Sequence, residues 1–276
     1  TIALKANGTV FIWGYAAESG LGNSVHSGAS SSPVQAVKGE GPSPISNKFI
    51  ETIVDIGVSC IYDNTYSGFG VLTEDGKLYS WGYDNQNYYF SGELSTEPKK
   101  GNVDINLKDI SLGYTQGRYG HGIIAIGRDN KFYGGGYNYY GQTGIGSTSS
   151  GLMKERIDDK LDGLLQIELS EGGSHAGGVR PDGTVVMWGL NNLGQLGDGS
   201  YATAINPVTV GGLSNSMLRL GGGVISSDTS SKSIDKIPGI VVLAENEKLQ
   251  IDKLKITKSS AFNLISTSDP VNVGRI

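Results

Sequence analysis

The sequence predicts an all-β protein: a β-propeller of four-stranded blades followed by a β-rich C-terminal extension. Three observations support this prediction. A hairpin pattern occurs four times, its internal spacing is fixed, and glycine contributes 43 of the 276 residues. Abundant glycine without a collagen period indicates many tight turns rather than long helices.

Each copy of the pattern contains an apolar run, a turn, a second apolar run and a closing glycine. The copies span residues 2–14, 70–82, 124–136 and 177–189. The turn residue lies six positions before the closing glycine in the pairs Gly8 and Gly14, Gly76 and Gly82, Asn130 and Gly136, and Gly183 and Gly189. Asn-Gly or Asp-Gly between apolar residues favours a tight turn with positive φ, and asparagine tolerates that conformation. Each copy therefore predicts two antiparallel strands.

A second motif follows the hairpins, and its clearest copy is WGLNNLGQLGDGS at residues 188–200. The closing glycine and a later glycine are eight residues apart in the pairs Gly14 and Gly22, Gly136 and Gly144, and Gly189 and Gly197. Pro33 and Pro207 begin the next link, as proline can at an edge strand. Apolar strands at 53–57, 110–113 and 165–169 precede the later hairpins.

The spacing of the closing glycines gives the size of one unit. Successive closing glycines are 68, 54 and 53 residues apart, and the long interval contains a Gly/Pro/Ser loop at 38–44. About 53 residues holding four short strands is the size of a propeller blade. We place the units around 1–37, 50–100, 103–157 and 164–210, with a degenerate fifth from 218, in a propeller region spanning 1–225.

The repeat fades in the last part of the chain. A Ser/Thr/Asp linker at 226–233 is followed by apolar runs at 240–243 and 249–256, which predict a hairpin. This extension, 226–276, either lends a strand to the incomplete first blade or forms a separate β module. The sequence leaves both alternatives open.

Composition excludes several classes of protein. The net charge of −5 and the absence of a dense Lys/Arg run argue against nucleic-acid binding. No run of about 18 apolar residues occurs, so no membrane span is expected. A single cysteine, Cys60, excludes an internal disulfide.

The sequence contains no convincing catalytic set. His121 and His175 occupy similar places in successive units, so we interpret both as structural hydrogen-bonding residues. Ser174 lies in the segment 172–176, which misses the nucleophile-elbow pattern at its last position. No metal-ligand spacing occurs. We therefore predict that the chain is not an enzyme and has no catalytic residue, metal ligand or cofactor.

Two equivalent loops, 84–90 and 137–140, are rich in tyrosine and asparagine. Tyrosine combined with small and amide residues is typical of recognition surfaces. The candidate binding residues are Asn85, Tyr88, Tyr89, Tyr139 and Tyr140. The alternative is that these tyrosines pack between blades.

The repeats resemble those of the regulator of chromosome condensation family. The resemblance rests on DGTVVMWG at residues 182–189, on Asn191 and on GQLG at residues 194–197. His175 lies eight residues before Gly183, where family members often carry a histidine. The recognisable repeats cover 1–210 and imply a β-propeller. The family ring normally has seven blades whereas this sequence provides about five, so the sequence is a fragment, or the ring is open or completed by another segment.

These features favour a non-catalytic protein-interaction or structural module that binds other protein subunits. The low Met and Cys content, with abundant Gly, Ser, Thr and Asn, resembles secreted and virion-surface proteins. We therefore expect an oligomeric extracellular or virion component, such as a phage fibre, collar or decoration protein, or a bacterial surface binding protein. Surface glycan is a second ligand class, and a cytoplasmic location is the alternative. Two other functions stay open: guanine-nucleotide exchange on a small GTPase, implied by the family's namesake, and inhibition of an enzyme.

Overall fold

The computed structural model describes residues 1–15, 29–36, 53–60, 67–82, 95–100, 105–114, 120–170, 172, 174–211, 217–223 and 239–244. These residues contain seventeen strands in five antiparallel sheets and no helix. The predicted all-β class is confirmed. We number the sheets as blades one to five.

The strands follow chain order within every sheet, so each sheet is a meander. Blade one contains β1 (Ile2–Leu4), β2 (Val10–Tyr15) and β3 (Ala29–Gln35). Blade two contains β4 (Ile53–Cys60), β5 (Ser67–Thr73), β6 (Leu78–Gly82) and β7 (Ser95–Lys100). Blade three contains β8 (Leu107–Tyr114), β9 (His121–Gly127), β10 (Phe132–Gly136) and β11 (Gly151–Glu155).

Blade four contains β12 (Gln166–Leu169), β13 (His175–Val179), β14 (Val185–Gly189) and β15 (Ala204–Thr209). The described part of blade five contains β16 (Met217–Gly223) and β17 (Gly239–Ala244). Within the described residues the predicted four-stranded blade is thus seen three times, in blades two, three and four.

The hairpin turns have the predicted backbone conformation. The turn glycines Gly8, Gly76 and Gly183 have φ of 80°, 83° and 81°, and Asn130 has φ of 63°. The closing glycine is required for a second reason, because a Cβ on Gly136 would lie 2.3 Å from the His121 carbonyl oxygen. A larger residue there would disrupt the pairing of β10 with β9.

The core lies between the blades. Along β9 the side chains of Ile123 and Ala125 pack toward blade two, whereas those of Ile124 and Ile126 pack toward blade four. This division follows from the alternation of side chains along a strand. Each fully buried aliphatic side chain contributes about 2 kcal/mol. Adjacent blades therefore stabilise each other face to face.

Hairpin tips also hold the chain that enters the next blade. The Gly8 carbonyl accepts a hydrogen bond from the Ile53 amide at 3.3 Å, and the Gly76 carbonyl accepts one from the Leu107 amide at 2.9 Å. The Asn130 carbonyl accepts one from the Gly163 amide, ahead of blade four, at 2.8 Å. The same connection thus recurs at three successive blades.

The β16–β17 pair has the register of an inner blade pair. Its register shifts between Met217 and Arg219, as that of β8–β9 shifts between Leu107 and Asp109. The predicted strand 240–243 is therefore present, and its described partner is β16. Its predicted partner at 249–256 lies outside the described residues, so the hairpin and the extension 226–276 stay predictions.

His121 lies at an interface between blades. Its ring Nδ1 contacts the Ser59 hydroxyl of β4, and the imidazole is buried. Burial disfavours the charged imidazolium and lowers the pKa of His121 to about 3. The ring is therefore neutral in the folded protein at every pH well above that value.

We expect the His121→Gln substitution to make stability less sensitive to acid. Below about pH 6.5 the unfolded chain binds a proton at His121 that the native state does not, so stability falls as the pH drops toward the folded pKa. This one group contributes a slope of about 1.4 kcal/mol per pH unit in that window. Urea unfolding between about pH 7 and about pH 4 measures the slope. An equally steep acid dependence in the variant would contradict the assignment.

Candidate functional site

The candidate tyrosines Tyr139 and Tyr140 lie in the loop that joins β10 to β11. The other three candidates, Asn85, Tyr88 and Tyr89, lie outside the described residues. Their membership of a common surface stays a prediction. Among the described residues, the candidate site therefore consists first of the loop that joins β10 to β11, which we call the blade-three loop.

A buried asparagine organises this loop. The Asn138 side-chain amide donates hydrogen bonds to the carbonyl oxygens of Ser147 at 2.7 Å and Ser149 at 3.3 Å. Its Oδ1 accepts a hydrogen bond from the Thr143 amide at 2.9 Å. One side chain therefore fixes both ends of the loop.

The blade-four loop, which joins β14 to β15, repeats the device with Asn191. Its side-chain amide donates to the Ser200 carbonyl at 3.0 Å, and its Oδ1 accepts from the Leu196 amide at 2.9 Å. A glutamine also recurs: Gln142 Oε1 accepts from the Tyr140 amide at 3.0 Å, and Gln195 Oε1 accepts from the Leu193 amide at 2.8 Å. The repeated Asn and Gln of the sequence motif are thus loop-holding residues.

Trp188 connects the blade-three loop to blade four. Its indole Nε1 donates a hydrogen bond to the Gln142 carbonyl at 2.9 Å, and its ring is fully buried. The ring packs edge-to-face on Phe132 at a centroid distance of 5.6 Å. A buried indole with a satisfied N–H is a rigid anchor.

The organised loop presents its tyrosines to solvent. Tyr139 is 65% exposed. Its ring stacks on Tyr137 at 6.5 Å and meets Tyr140 edge-to-face at 5.0 Å. The alternative that these tyrosines pack between blades is therefore wrong for Tyr139, whereas Tyr140 is half-buried.

The tyrosine loop continues onto blade four. A Cβ on Gly141 would lie 2.8 Å from a methyl group of Ile205, which places the loop directly on β15. A Cβ on Gly194 would lie 3.4 Å from the Tyr201 ring, so that ring lies against the blade-four loop. We use the name tyrosine surface for the exposed or half-exposed residues of these two loops and the start of β15, which are Tyr139, Tyr140, Leu193, Tyr201 and Ile205.

The two loop segments of the tyrosine surface are almost free of charge. Asp198 is the single ionisable acid or base in the two segments 137–151 and 190–205, apart from tyrosine. The Ser200 backbone amide donates a hydrogen bond to the Asp198 carboxylate at 2.9 Å and thereby lowers the pKa of this residue. Because the carboxylate is occupied within its own loop, the two loops offer aromatic area and neutral hydrogen-bonding groups.

The described residues offer no grouping suited to catalysis. Among them, no three histidine, cysteine or acidic side chains are close enough to hold a metal ion. Ser174 and His175 are both buried, and His175 Nδ1 contacts the Ser170 hydroxyl at 3.2 Å. Both His121 and His175 are buried and contact a serine hydroxyl, as the structural interpretation predicts. The two histidines differ by one position in the register of their blades. His175 itself pairs with the closing glycine Gly189, whereas the residue after His121, Gly122, pairs with the closing glycine Gly136.

No helix able to cross a membrane occurs in the described part of the chain.

Sequence reasoning missed three members of the tyrosine surface. Leu193, Tyr201 and Ile205 are separated in the sequence and belong to the next repeat, so no local pattern joins them to Tyr139. The available signal is the common offset of Asn138 and Asn191, each two residues after a closing glycine. This common offset aligns the two loops in sequence, and in that alignment Leu193 corresponds to Tyr140.

We expect Asn138→Ala to destabilise the protein by about 2–3 kcal/mol, because three hydrogen bonds are lost at a buried site. Asn192→Ala removes the same side chain from an exposed position in the blade-four loop and serves as the matched control, with a change within about 0.5 kcal/mol. Urea unfolding at neutral pH measures both. Equal effects of the two substitutions would show that Asn138 does not hold the loop.

Comparisons with known proteins identify the repeat. No family model matches the chain. The chain is 27% identical over 188 residues to the probable E3 ubiquitin-protein ligase HERC6 of Homo sapiens, covering 65% of this chain and 17% of that protein. It is 26% identical over 230 residues to the ultraviolet-B receptor UVR8 of Arabidopsis thaliana, covering 80% of this chain and 47% of the receptor.

The solved structure of Prp20p from Saccharomyces cerevisiae, the yeast RCC1 protein, shares the fold with a TM-score of 0.59 at 17% identity. That match covers 79% of this chain and 51% of Prp20p. The chain thus spans about half the length of UVR8 and Prp20p and a smaller share of HERC6. Together with the four repeats and the bladed fold, these relatives confirm the resemblance of the chain to the regulator of chromosome condensation (RCC1) repeat β-propeller proteins.

Proposed function

We propose that this chain is a non-catalytic protein-interaction module and that the tyrosine surface is its binding face. The observation that carries the proposal is the exposure of Tyr139 on a loop fixed by Asn138 and Trp188. A rigid loop loses little conformational entropy on binding, and exposed aromatic rings supply large contact areas. These are properties of binding hot spots.

The relatives support a protein partner. Prp20p is described by its binding to Gsp1p and histones, and the same protein has been solved bound to Kap60. The present chain has a net charge of −5, and its tyrosine surface is nearly neutral. A partner would therefore bind through an uncharged patch, and its affinity would depend weakly on salt.

We expect the double substitution Tyr139→Ala and Tyr140→Ala to weaken partner binding by at least about 2 kcal/mol, because it removes two neighbouring hot-spot rings. Tyr15→Ala removes an exposed tyrosine at the end of β2 in blade one and is the matched control. Proteins that bind to the wild type and to the Tyr15 variant, but not to the double variant, are purified. Their affinities for each form of the chain are then measured by calorimetry.

The melting temperature of each variant is measured in parallel. Lost binding with unchanged melting supports the tyrosine surface as the binding face. Binding that survives the double substitution places the face elsewhere, and a large fall in melting temperature indicates a packing role.

Guanine-nucleotide exchange on a small GTPase is the second candidate, because the fold is shared with Prp20p. Release of a fluorescent guanine nucleotide from purified small GTPases tests it directly. Acceleration by the chain would favour exchange over passive binding.

Composition also favours a narrower form of the interaction module: an oligomeric surface or virion component outside the cell, with glycan as a second ligand class. Inhibition of an enzyme is a further form of the same binding activity. The partner found in the binding experiment distinguishes a particle subunit, an enzyme and a cytoplasmic protein.

A further inference from the structure

The outer strand of blade three differs from the other described outer strands. Three outer strands, β3, β7 and β15, carry a proline at the same place in the blade. In each strand, the residue after the proline pairs with the residue that lies two positions before the closing glycine. These prolines are Pro33, Pro98 and Pro207. In β11 the equivalent residue is Met153, next to the Lys154–Gly134 pair. Three outer strands therefore share a proline that β11 lacks.

The prolines lie at the register shift of each outer strand, a position at which a strand tolerates proline. In blade three the Arg156 amide donates inward to the Phe132 carbonyl at 2.9 Å. Because successive amides of an antiparallel strand point to opposite sides, the Glu155 amide lies on the outer side of β11. Met153 lies two residues earlier, at the register shift opposite Gly135. Proline at an outer position removes a donor and blocks edge-to-edge pairing. The edge of β11 keeps the Glu155 donor.

A second substitution in the same blade accompanies the missing proline. The residue before the closing glycine is a tryptophan in blades one, two and four but Gly135 in blade three. A Cβ on Gly135 would lie 2.5 Å from the nitrogen and Cα of Met153, whose side chain is buried. Blade three therefore packs a methionine over a glycine where the other blades carry proline and tryptophan.

The exposed side chains along β11 can engage a further strand. β11 is the terminal strand of its sheet. Leu152 is 45% exposed and the nearby Ile157 is 99% exposed, while Lys154 and Glu155 both face solvent. We propose that β11 accepts an extended segment of a partner protein as an added antiparallel strand. This edge is separate from the tyrosine surface, which lies on the two loops and at the start of β15.

The charges of β11 favour a foreign strand over a second copy of this chain. Leu152 and Lys154 project from one face of the strand, and Glu155 projects from the other. Antiparallel self-pairing therefore never places Glu155 opposite Lys154. Such pairing places Lys154 opposite or diagonal to Lys154 of the second copy, or opposite Arg156 of the second copy. Like charges at these positions destabilise a sheet. A complementary segment has an acidic residue opposite Lys154, a basic residue opposite Glu155 and an apolar residue opposite Leu152.

A synthetic peptide, acetyl-Thr-Lys-Glu-Val-Val-Thr-amide, provides this complement in antiparallel register. The charge-swapped peptide acetyl-Thr-Glu-Lys-Val-Val-Thr-amide is the control. Amide hydrogen exchange of the full chain is followed by NMR with each peptide at millimolar concentration. We expect exchange at Glu155 to slow by about tenfold with the first peptide only, the effect of about 1.4 kcal/mol of net hydrogen bonding.

Three variants make the result specific. Glu155→Pro removes an outer donor, and the pair Gly135→Trp with Met153→Pro recreates the sequence of the other blades; both should abolish protection. Glu155→Pro keeps the test valid if the pair fails to fold. Lys154→Glu should transfer protection to the charge-swapped peptide.

Four results would overturn the proposal. The first is an absence of protection with both peptides, and the second is equal protection by both. The third is protection that persists in Glu155→Pro. The fourth is a dimer of the wild type, seen by light scattering and lost in Glu155→Pro, which would make a second copy the occupant. Loss of the Tyr139 and Tyr140 side chains should leave peptide protection unchanged, so this proposal and the proposed binding face fail separately.

Discussion

The face-to-face packing of neighbouring blades is the constraint on which the described fold depends. Each sheet in the middle of the series is apolar on both faces, as in β9, where consecutive isoleucines serve two different interfaces. A sheet of this kind cannot be stable alone, because its two faces need two neighbours. This requirement explains the nearly continuous apolar runs in the inner strands and the register shared by the blades.

The same packing sets the position of the candidate binding face. Trp188 belongs to blade four but holds the Gln142 carbonyl of blade three, and Gly141 lies against Ile205. The tyrosine surface is consequently a property of a pair of blades. A single repeat taken alone would present the same tyrosines without the tryptophan and β15 that support them.

The sequence allowed prediction of the features that depend on local signals. The turn glycines, Asn130 and the fixed offset to the closing glycine were sufficient for the hairpins, because φ and hairpin geometry are local. The pairing of β17 with β16 could not be predicted, since residues 224–238 separate the two strands by far more than a tight hairpin turn. The contact of Gly135 with Met153 could not be predicted either, because it depends on the register shift at the β-bulge between β10 and β11. Of the candidate site, Tyr139 and Tyr140 were predicted, whereas the blade-four residues required the packing of two repeats.

The hydrogen bonds at the hairpin tips all have the same direction along the described chain. In each case the acceptor is a turn carbonyl of the earlier blade, at Gly8, Gly76 or Asn130, and the donor belongs to the chain entering the later one. A finished hairpin thus provides a docking point for the segment that emerges next during synthesis. Because each blade packs on the blade before it, blades can add in chain order to a completed neighbour. We therefore expect this one recurring bond to favour folding of the blades in chain order.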